Sequence, residues 1–537
     1  MGLAALGAFD AANPGLGWLA LSYAATAAML GGWLLGATRR GWSAWLVLAP
    51  ALGIAVATLI RVAVTSGIDA DESEHLHLAF AIGRDLMPYR DLDQNHSPFV
   101  WMLSAPLLAL LPESPYVLLV FRLLCLASFA GSITIACRLS RTLWRGGAYQ
   151  TPFCVLLGLV YATQAEAYRF RPDAFMNTLA LASLYLLVRP PEPGAKRSRT
   201  ALLAGLLQGL AVAFSPKVAH LALAAPLLLW LREGGVQPAS DRLRATLLAA
   251  LLYGAGFALA LAPVLLWLAW HGLMADAFRG IVTYNLGFAT RRIAEGIPQQ
   301  PAFYNSVLEI RRLVEMAPFF ALALVGSAMV MVQRVGPAGV ASRSLRQATV
   351  AAWLLWLSVW TFTPNAATYH VAGALVLAGA LGAPALDAIA GRWQRAGGCF
   401  GMGLLIALCL GTAPLRTGWG GFVRGYSYPL SSVAWLHRAV RERGDSCLCI
   451  VPWHPIFTAN VAPVYRSNEV RSGRWSEAVA WTLSNRPAAV MAPRFAGLVK
   501  RGALSEAERA RMMQFLNAHY ELVSRGTAGF WLLRDDR

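Results

Sequence analysis

Apolar runs of membrane-crossing length recur along most of this chain, broken by short polar connections. A hydrocarbon core about 30 Å thick needs roughly 20 apolar residues of helix to cross it. Candidate spans fall at 17–36, 43–65, 115–137, 151–167, 174–190, 202–216, 217–231, 245–271, 316–334, 348–363, 369–388 and 398–416, twelve in all. Two connections are long: 66–114 and 272–315. In the first, an amphipathic helix is expected from about Asp71 to Leu86, with Leu76, Ala79, Phe80 and Gly83 on one face. A short apolar helix after Ser97-Pro98 stops at Pro112 and suits an interface better than a crossing. Beyond residue 417 the periodicity changes. Helix-like 430–443, strand-like 446–451 and 487–491, a helix capped by Ser505 and Glu508, and strands at 520–524 and 528–533 predict a small α/β domain. The expected architecture is therefore mostly α: a membrane body over 1–416 and an α/β domain over 417–537.

Composition agrees. The chain is 57% hydrophobic and 14% charged, whereas soluble proteins carry roughly 25% charged residues. The formal charge of +18 reads as loop topology rather than nucleic-acid affinity, because its basic clusters fall in alternate connections. These are Arg39/Arg40; Arg138, Arg141 and Arg145; Lys196, Arg197 and Arg199; Arg232, Arg242 and Arg244; Arg334, Arg343 and Arg346; and Arg392/Arg395. With all six inside, both long connections, both chain ends and the α/β domain lie outside. The same rule makes 202–231 a hairpin with its corner at Ser215-Pro216-Lys217. It also puts Tyr168-Arg169-Phe170-Arg171-Pro172-Asp173 at an outer tip. The cysteines suggest neither a zinc site nor a redox pair, and no cleavable signal peptide is expected.

Chemistry is expected in the first outer connection. Asp69, Asp71, Glu72, Glu74, Asp85, Asp91, Asp93 and Glu113 face only Arg84 and Arg90 there. Helix capping accounts for one or two such carboxylates, but not for all of them. A crowded carboxylate at Asp71 suits removal of a proton from an attacking hydroxyl, and His75 lies one helical turn further on. Asp91 either adds a ligand or orders a turn, and His96 before Ser97-Pro98 reads first as a structural hydrogen bonder. Arg171, Asp173 and Lys217 stand at rigid proline corners and suit a structured site, whereas snorkelling explains Arg169. His370 reads first as an interfacial residue. The second connection carries Arg279, Arg291, Arg292, Arg311 and Arg312 against the orientation bias, and arginine forks bind phosphate.

In order, these motifs resemble the membrane glycosyltransferases of the C superfamily. They are Asp71-Glu72 after a span, then Tyr89-Arg90-Asp91, Asn95-His96-Ser97-Pro98, Arg171-Pro172-Asp173 and the Ser215-Pro216-Lys217 corner. The nearest kin by this reading are bacterial relatives of dolichyl-phosphate-mannose protein mannosyltransferases and the lipid A aminoarabinose transferase. The resemblance implies inverting transfer of a sugar from a polyprenyl-phosphate donor to a glycan, lipid or protein hydroxyl. It implies a multi-pass protein of the bacterial inner membrane with its active site facing the periplasm or exterior, and membrane lipids as partners. Asp71 becomes the catalytic base with Glu72 supporting it. Asp91, His96, Arg171, Asp173, Lys217, Arg279, Arg291, Arg292 and His370 become substrate-binding candidates. No cofactor is expected, although Asp69-Ala70-Asp71 matches the Asp-x-Asp by which some members hold a divalent metal. Two spans precede the acidic connection here instead of one. Twelve spans also suit a secondary transporter with an accessory outer domain, but the charges sit at span ends and no repeat relates the halves.

Overall fold

The computed structural model describes residues 70–284 with short interruptions, 321–332, 342–362 and 372–393, scattered positions from 52 to 68, and parts of 438–534. Asp69, Asp93, Arg291, Arg292, Arg311, Arg312 and His370, like the first and last candidate spans, lie outside the described residues. The helices are α1 (Ala70–Ile82), α2 (Phe99–Ala109), α3 (Leu118–Leu143), α4 (Gln150–Gln164), α5 (Pro172–Val188), α6 (Arg197–Phe214), α7 (Ala225–Arg232), α8 (Ala239–Trp270) and α9 (Met274–Phe278). After them come α10 (Ala321–Val332), α11 (Arg343–Phe362), α12 (Ala372–Trp393) and α13 (Glu506–His519). The chain divides into two compact units.

One unit comprises Met1–Val64, Leu123–Pro263 and Arg292–Val423. In it α5 packs along α6, α4 along α12, and α12 also touches α5 and α11. Small polar side chains tie these apolar helices together. Thr178 of α5 meets Ser132 of α3 at 2.6 Å, Ser183 of α5 donates to the Ala204 carbonyl of α6 at 2.8 Å, and Trp353 of α11 donates to the Ala374 carbonyl of α12 at 3.1 Å. Such bonds suit a medium without water, where packing and polar contacts replace the hydrophobic effect between helices. Both α3 and α8 belong to stretches long and apolar enough to cross a membrane. At Ser215-Pro216 the chain turns back as expected, but the returning arm is a 3-10 helix over Pro216–Ala224 before α7. A single α-helix over 217–231 is therefore corrected.

Glycines let α6 and α8 approach closely. A Cβ on Gly205 would fall inside the Tyr253 carbonyl oxygen, and one on Gly256 inside the Leu202 carbonyl oxygen. Gly205→Ala should then cost about 1–3 kcal/mol of stability through overpacking. Gly254→Ala is the control, since nothing lies within 4 Å of its added carbon. Thermal unfolding in detergent should separate the two variants, and equal midpoints would refute the close approach.

The other unit comprises Thr65–Arg122, Val264–Arg291 and Arg424–Arg537. Its C-terminal part is the α/β domain, with five strands among the described residues: β1 (Ser446–Cys449), β2 (Asn460–Val461), β3 (Ala489–Pro493), β4 (Tyr520–Ser524) and β5 (Ala528–Leu533), ordered β2-β1-β3-β5-β4. The β1–β2 and β1–β3 pairs are parallel, and β5 runs antiparallel to both β3 and β4. The expected strands at 446–451, 487–491, 520–524 and 528–533 are all present. At two residues, β2 was too short to leave a periodic signal. Ser505 caps α13 with Glu508 in a reciprocal box, as their spacing predicts. Trp453-His454-Pro455 lies outside the described residues.

In the same unit α2 packs on α1. Every residue from Glu72 to Ala79 is buried, so the expected solvent face of α1 does not exist. Its polar side chains meet protein groups where water was expected.

Candidate active site

Acidic residues favour the first turn of a helix because unpaired backbone N–H groups point out of it. Asp71 and Glu72 occupy that turn in α1, yet their surroundings differ. Glu72 is fully buried and takes a bidentate pair from Arg122, at 2.8 Å from Nε and 2.6 Å from Nη2. Asp71 remains half-buried. Two adjacent carboxylates are thus sorted: one is committed to an internal ion pair, and the other keeps access to the outside. Arg122 went unnoticed in the sequence, although a lone cation inside an apolar run is the available signal.

Behind Asp71 lies a buried polar cluster. Trp101 of α2 donates from Nε1 to His75 Nδ1 at 3.0 Å. The His96 ring stands edge-on to His75 with centroids 5.2 Å apart, and its Nδ1 is 4.0 Å from Glu74 Oε1. Tyr89 packs against Trp101 and gives its hydroxyl hydrogen to the His96 carbonyl oxygen at 2.6 Å. Burial pushes the Tyr89 phenol well above its ordinary value, so it serves as a donor. The Tyr89 backbone has φ +69°, a conformation that tertiary contacts must hold in a residue other than glycine. One such contact is Gly280, where any Cβ would fall inside the Gln94 carbonyl oxygen and press on the Tyr89 ring. The second long connection is thereby brought against the first. Next to Gly280, Arg279 is exposed and pairs with Asp276.

Asp91 orders a turn. Its carboxylate accepts from the Met87 amide at 2.8 Å and from Arg90 at 2.9 and 3.0 Å. The Arg90 hydrogen bond, with help from the Met87 amide, holds its carboxyl below the usual range. A depressed value stabilises the fold above the unfolded carboxyl's value near about 3.9, and the gain fades as pH falls through the folded value. Asp91→Asn should therefore cost about 1 kcal/mol at neutral pH and progressively less below about pH 4. Unfolding midpoints across that range check it, and a constant difference would refute it.

A second cluster belongs to the helical unit. Proline at the first position of α5 follows Arg171 in an extended conformation, which explains why Arg-Pro-Asp begins a helix. Asp173, 4% exposed, accepts from Lys217 Nζ at 3.1 Å, joining the outer tip to the hairpin corner. Asn177 donates to the Asp173 carbonyl oxygen at 2.7 Å, and Arg169 pairs with Glu166 at 2.9 Å. A small cleft is lined by Glu166, Arg169, Arg171, Asp173, Asn177 and Ser132, among others. Arg171, Asp173 and Lys217 thus come together as their corner positions suggest. Glu166 and Asn177 were missed, since neither sits in a motif of its own.

No protein-family model and no curated protein matches the sequence. Solved structures do, among them ArnT from Cupriavidus metallidurans bound to undecaprenyl phosphate and the same protein in its apo state. The first matches with a TM-score of 0.58 at 12% identity, over 91% of this chain and 97% of that one. The apo form gives 0.50 at the same identity and coverage. The chain has the ArnT fold. It is a mostly helical, polytopic membrane fold with a small sheet. The resemblance to the lipid A aminoarabinose transferase, drawn from short motifs, holds at that level.

Proposed function

We propose that this protein is an inverting glycosyltransferase that moves a sugar from a polyprenyl-phosphate donor to an acceptor hydroxyl at the outer face of the membrane. The observation that carries the reading is the ArnT fold, shared with a structure that holds undecaprenyl phosphate. The sorted carboxylates of α1 add to it. Asp71 takes the proton of the acceptor hydroxyl as its oxygen bonds to the anomeric carbon. The bond from that carbon to the phosphate oxygen breaks on the opposite face, and the lipid phosphate leaves with the electron pair. Phosphate is a weak base and needs cations rather than an acid, which Lys217, Arg171, Arg279, Arg291 and Arg292 supply. Glu72 supports the base through Arg122, holding the first turn of α1 in place. Asp91 and His96 order the same connection, and His370 joins the substrate contacts. The membrane body spans 1–416 with twelve crossings, and 417–537 lies outside. In a bacterial inner membrane the active site and 417–537 would face the periplasm or exterior, with a glycan, lipid or protein as acceptor.

The experiment is transfer by the purified protein in proteoliposomes, with a labelled sugar on polyprenyl phosphate. Product of inverted anomeric configuration is expected, and none is expected when a nucleotide sugar is the sole donor. Turnover of the nucleotide sugar alone, or a retained configuration, would overturn the reading. EDTA in the same assay should leave the rate unchanged; a loss restored by a divalent cation would assign Asp69 and Asp71 to a metal.

A further inference from the structure

Resting on Asp71 as the base, we infer that His75 is a positioning residue that orients the Asp71 carboxylate as a neutral N–H donor, and that Trp101 holds it in that state. A neutral imidazole has one donor and one acceptor nitrogen, whereas an indole N–H can only donate. Trp101 Nε1 lies 3.0 Å from His75 Nδ1, so Nδ1 is the acceptor and the ring hydrogen sits on Nε2. Adding a second proton would set N–H against N–H within a site where His75 is 2% and Trp101 0% exposed.

The Nε2 hydrogen then has a direction. Side chains of an α-helix lean toward its N-terminus, and residues four apart stand about 5–6 Å from each other on one face. Four residues before His75 in α1 is Asp71, in the first turn. A neutral donor there fixes the carboxylate's orientation while leaving it more basic than a cation would. The contrast is Glu72, whose Arg122 partner commits it to an ion pair.

The titratable groups around this helix are Glu72, Glu74 and His77 of α1, Tyr89 and His96 of the following loop, and Arg122. Glu72 is taken up by Arg122, and Tyr89 donates to the His96 backbone. His96 meets the His75 ring edge-on, with Glu74 beside its own Nδ1. The Trp101 hydrogen bond to Nδ1 assigns the His75 ring hydrogen to Nε2.

Two arms test this in the sugar-transfer assay. In the first, His75→Leu should lower kcat by roughly 10- to 100-fold with the donor KM nearly unchanged, the scale of a misplaced catalytic group. His75→Gln, whose amide puts N–H near the Nε2 position, should restore most of that loss. In the second, Trp101→Phe keeps a ring but removes the donor, so His75 becomes free to protonate. An acid limb should then appear in kcat near imidazole's ordinary value of about 6.5, activity falling below it. That limb should be absent from wild type and from Trp101→Phe/His75→Gln. Equal losses in His75→Leu and His75→Gln, or a Trp101→Phe profile identical to wild type, would overturn the inference. Asp71→Asn run alongside separates the two levels. Full turnover by that variant refutes the base itself, whereas an inactive Asp71→Asn with a flat His75 series refutes only the positioning role.

Discussion

Arg122→Met should destabilise the protein by about 3–5 kcal/mol, the usual cost of stripping one partner from a buried ion pair. Arg122 is 1% exposed and Glu72 0%, and two charge-assisted bonds of 2.6 and 2.8 Å join them. Methionine keeps most of the apolar stem, so the loss isolates the charge left on Glu72. The double variant Glu72→Leu/Arg122→Met should recover much of it, because a well-packed apolar pair is often as stable as a buried ionic one. Thermal unfolding of the single and double variants in detergent measures the coupling. A single variant as stable as wild type would show that the pair does not hold α1.

Asp71→Asn should lower kcat by about 10³-fold while the protein folds normally, within the 10²–10⁴ range of a lost general base. Asparagine has the same shape and cannot take a proton. Asp71 is half-buried, so the isosteric exchange leaves the packing around it in place. Glu72→Gln should behave in the opposite way. It strands the Arg122 charge and should lower stability more than turnover per folded molecule. Active-site titration paired with unfolding curves distinguishes the two patterns. An Asp71→Asn enzyme with wild-type turnover would remove the carboxylate from the mechanism.

The difference between those neighbours shows where reading the chain succeeds. Span-length apolar runs, the Ser505–Glu508 box and four of the five strands follow from local periodicity and spacing, which the backbone obeys wherever the segment sits. The proline corners did so too: Pro172 begins α5 and Pro216 turns the hairpin, because a fixed φ and a missing N–H act on the nearest residues alone. Motif order along the chain was enough to indicate the ArnT architecture, which the structural match then supplied.

Long-range pairing was out of reach. Asp71 and Glu72 are adjacent acids in sequence, and nothing local says that one will meet an arginine 50 residues away. Likewise α1 was expected to show one face to water, yet Trp101, His96 and Arg122 cover its polar residues. Burial turns carboxylates and imidazoles from solvated groups into ones that need defined partners, and partners are chosen by the packing of distant segments. The sequence by itself determined a membrane-spanning helical chain with an acidic connection and a capped α/β domain. Only the tertiary structure decided which carboxylate is locked, which stays accessible, and which nitrogen of His75 faces Trp101. Periodicity records how each segment meets its medium, whereas an ion pair or a tautomer depends on a second segment arriving at a specific place.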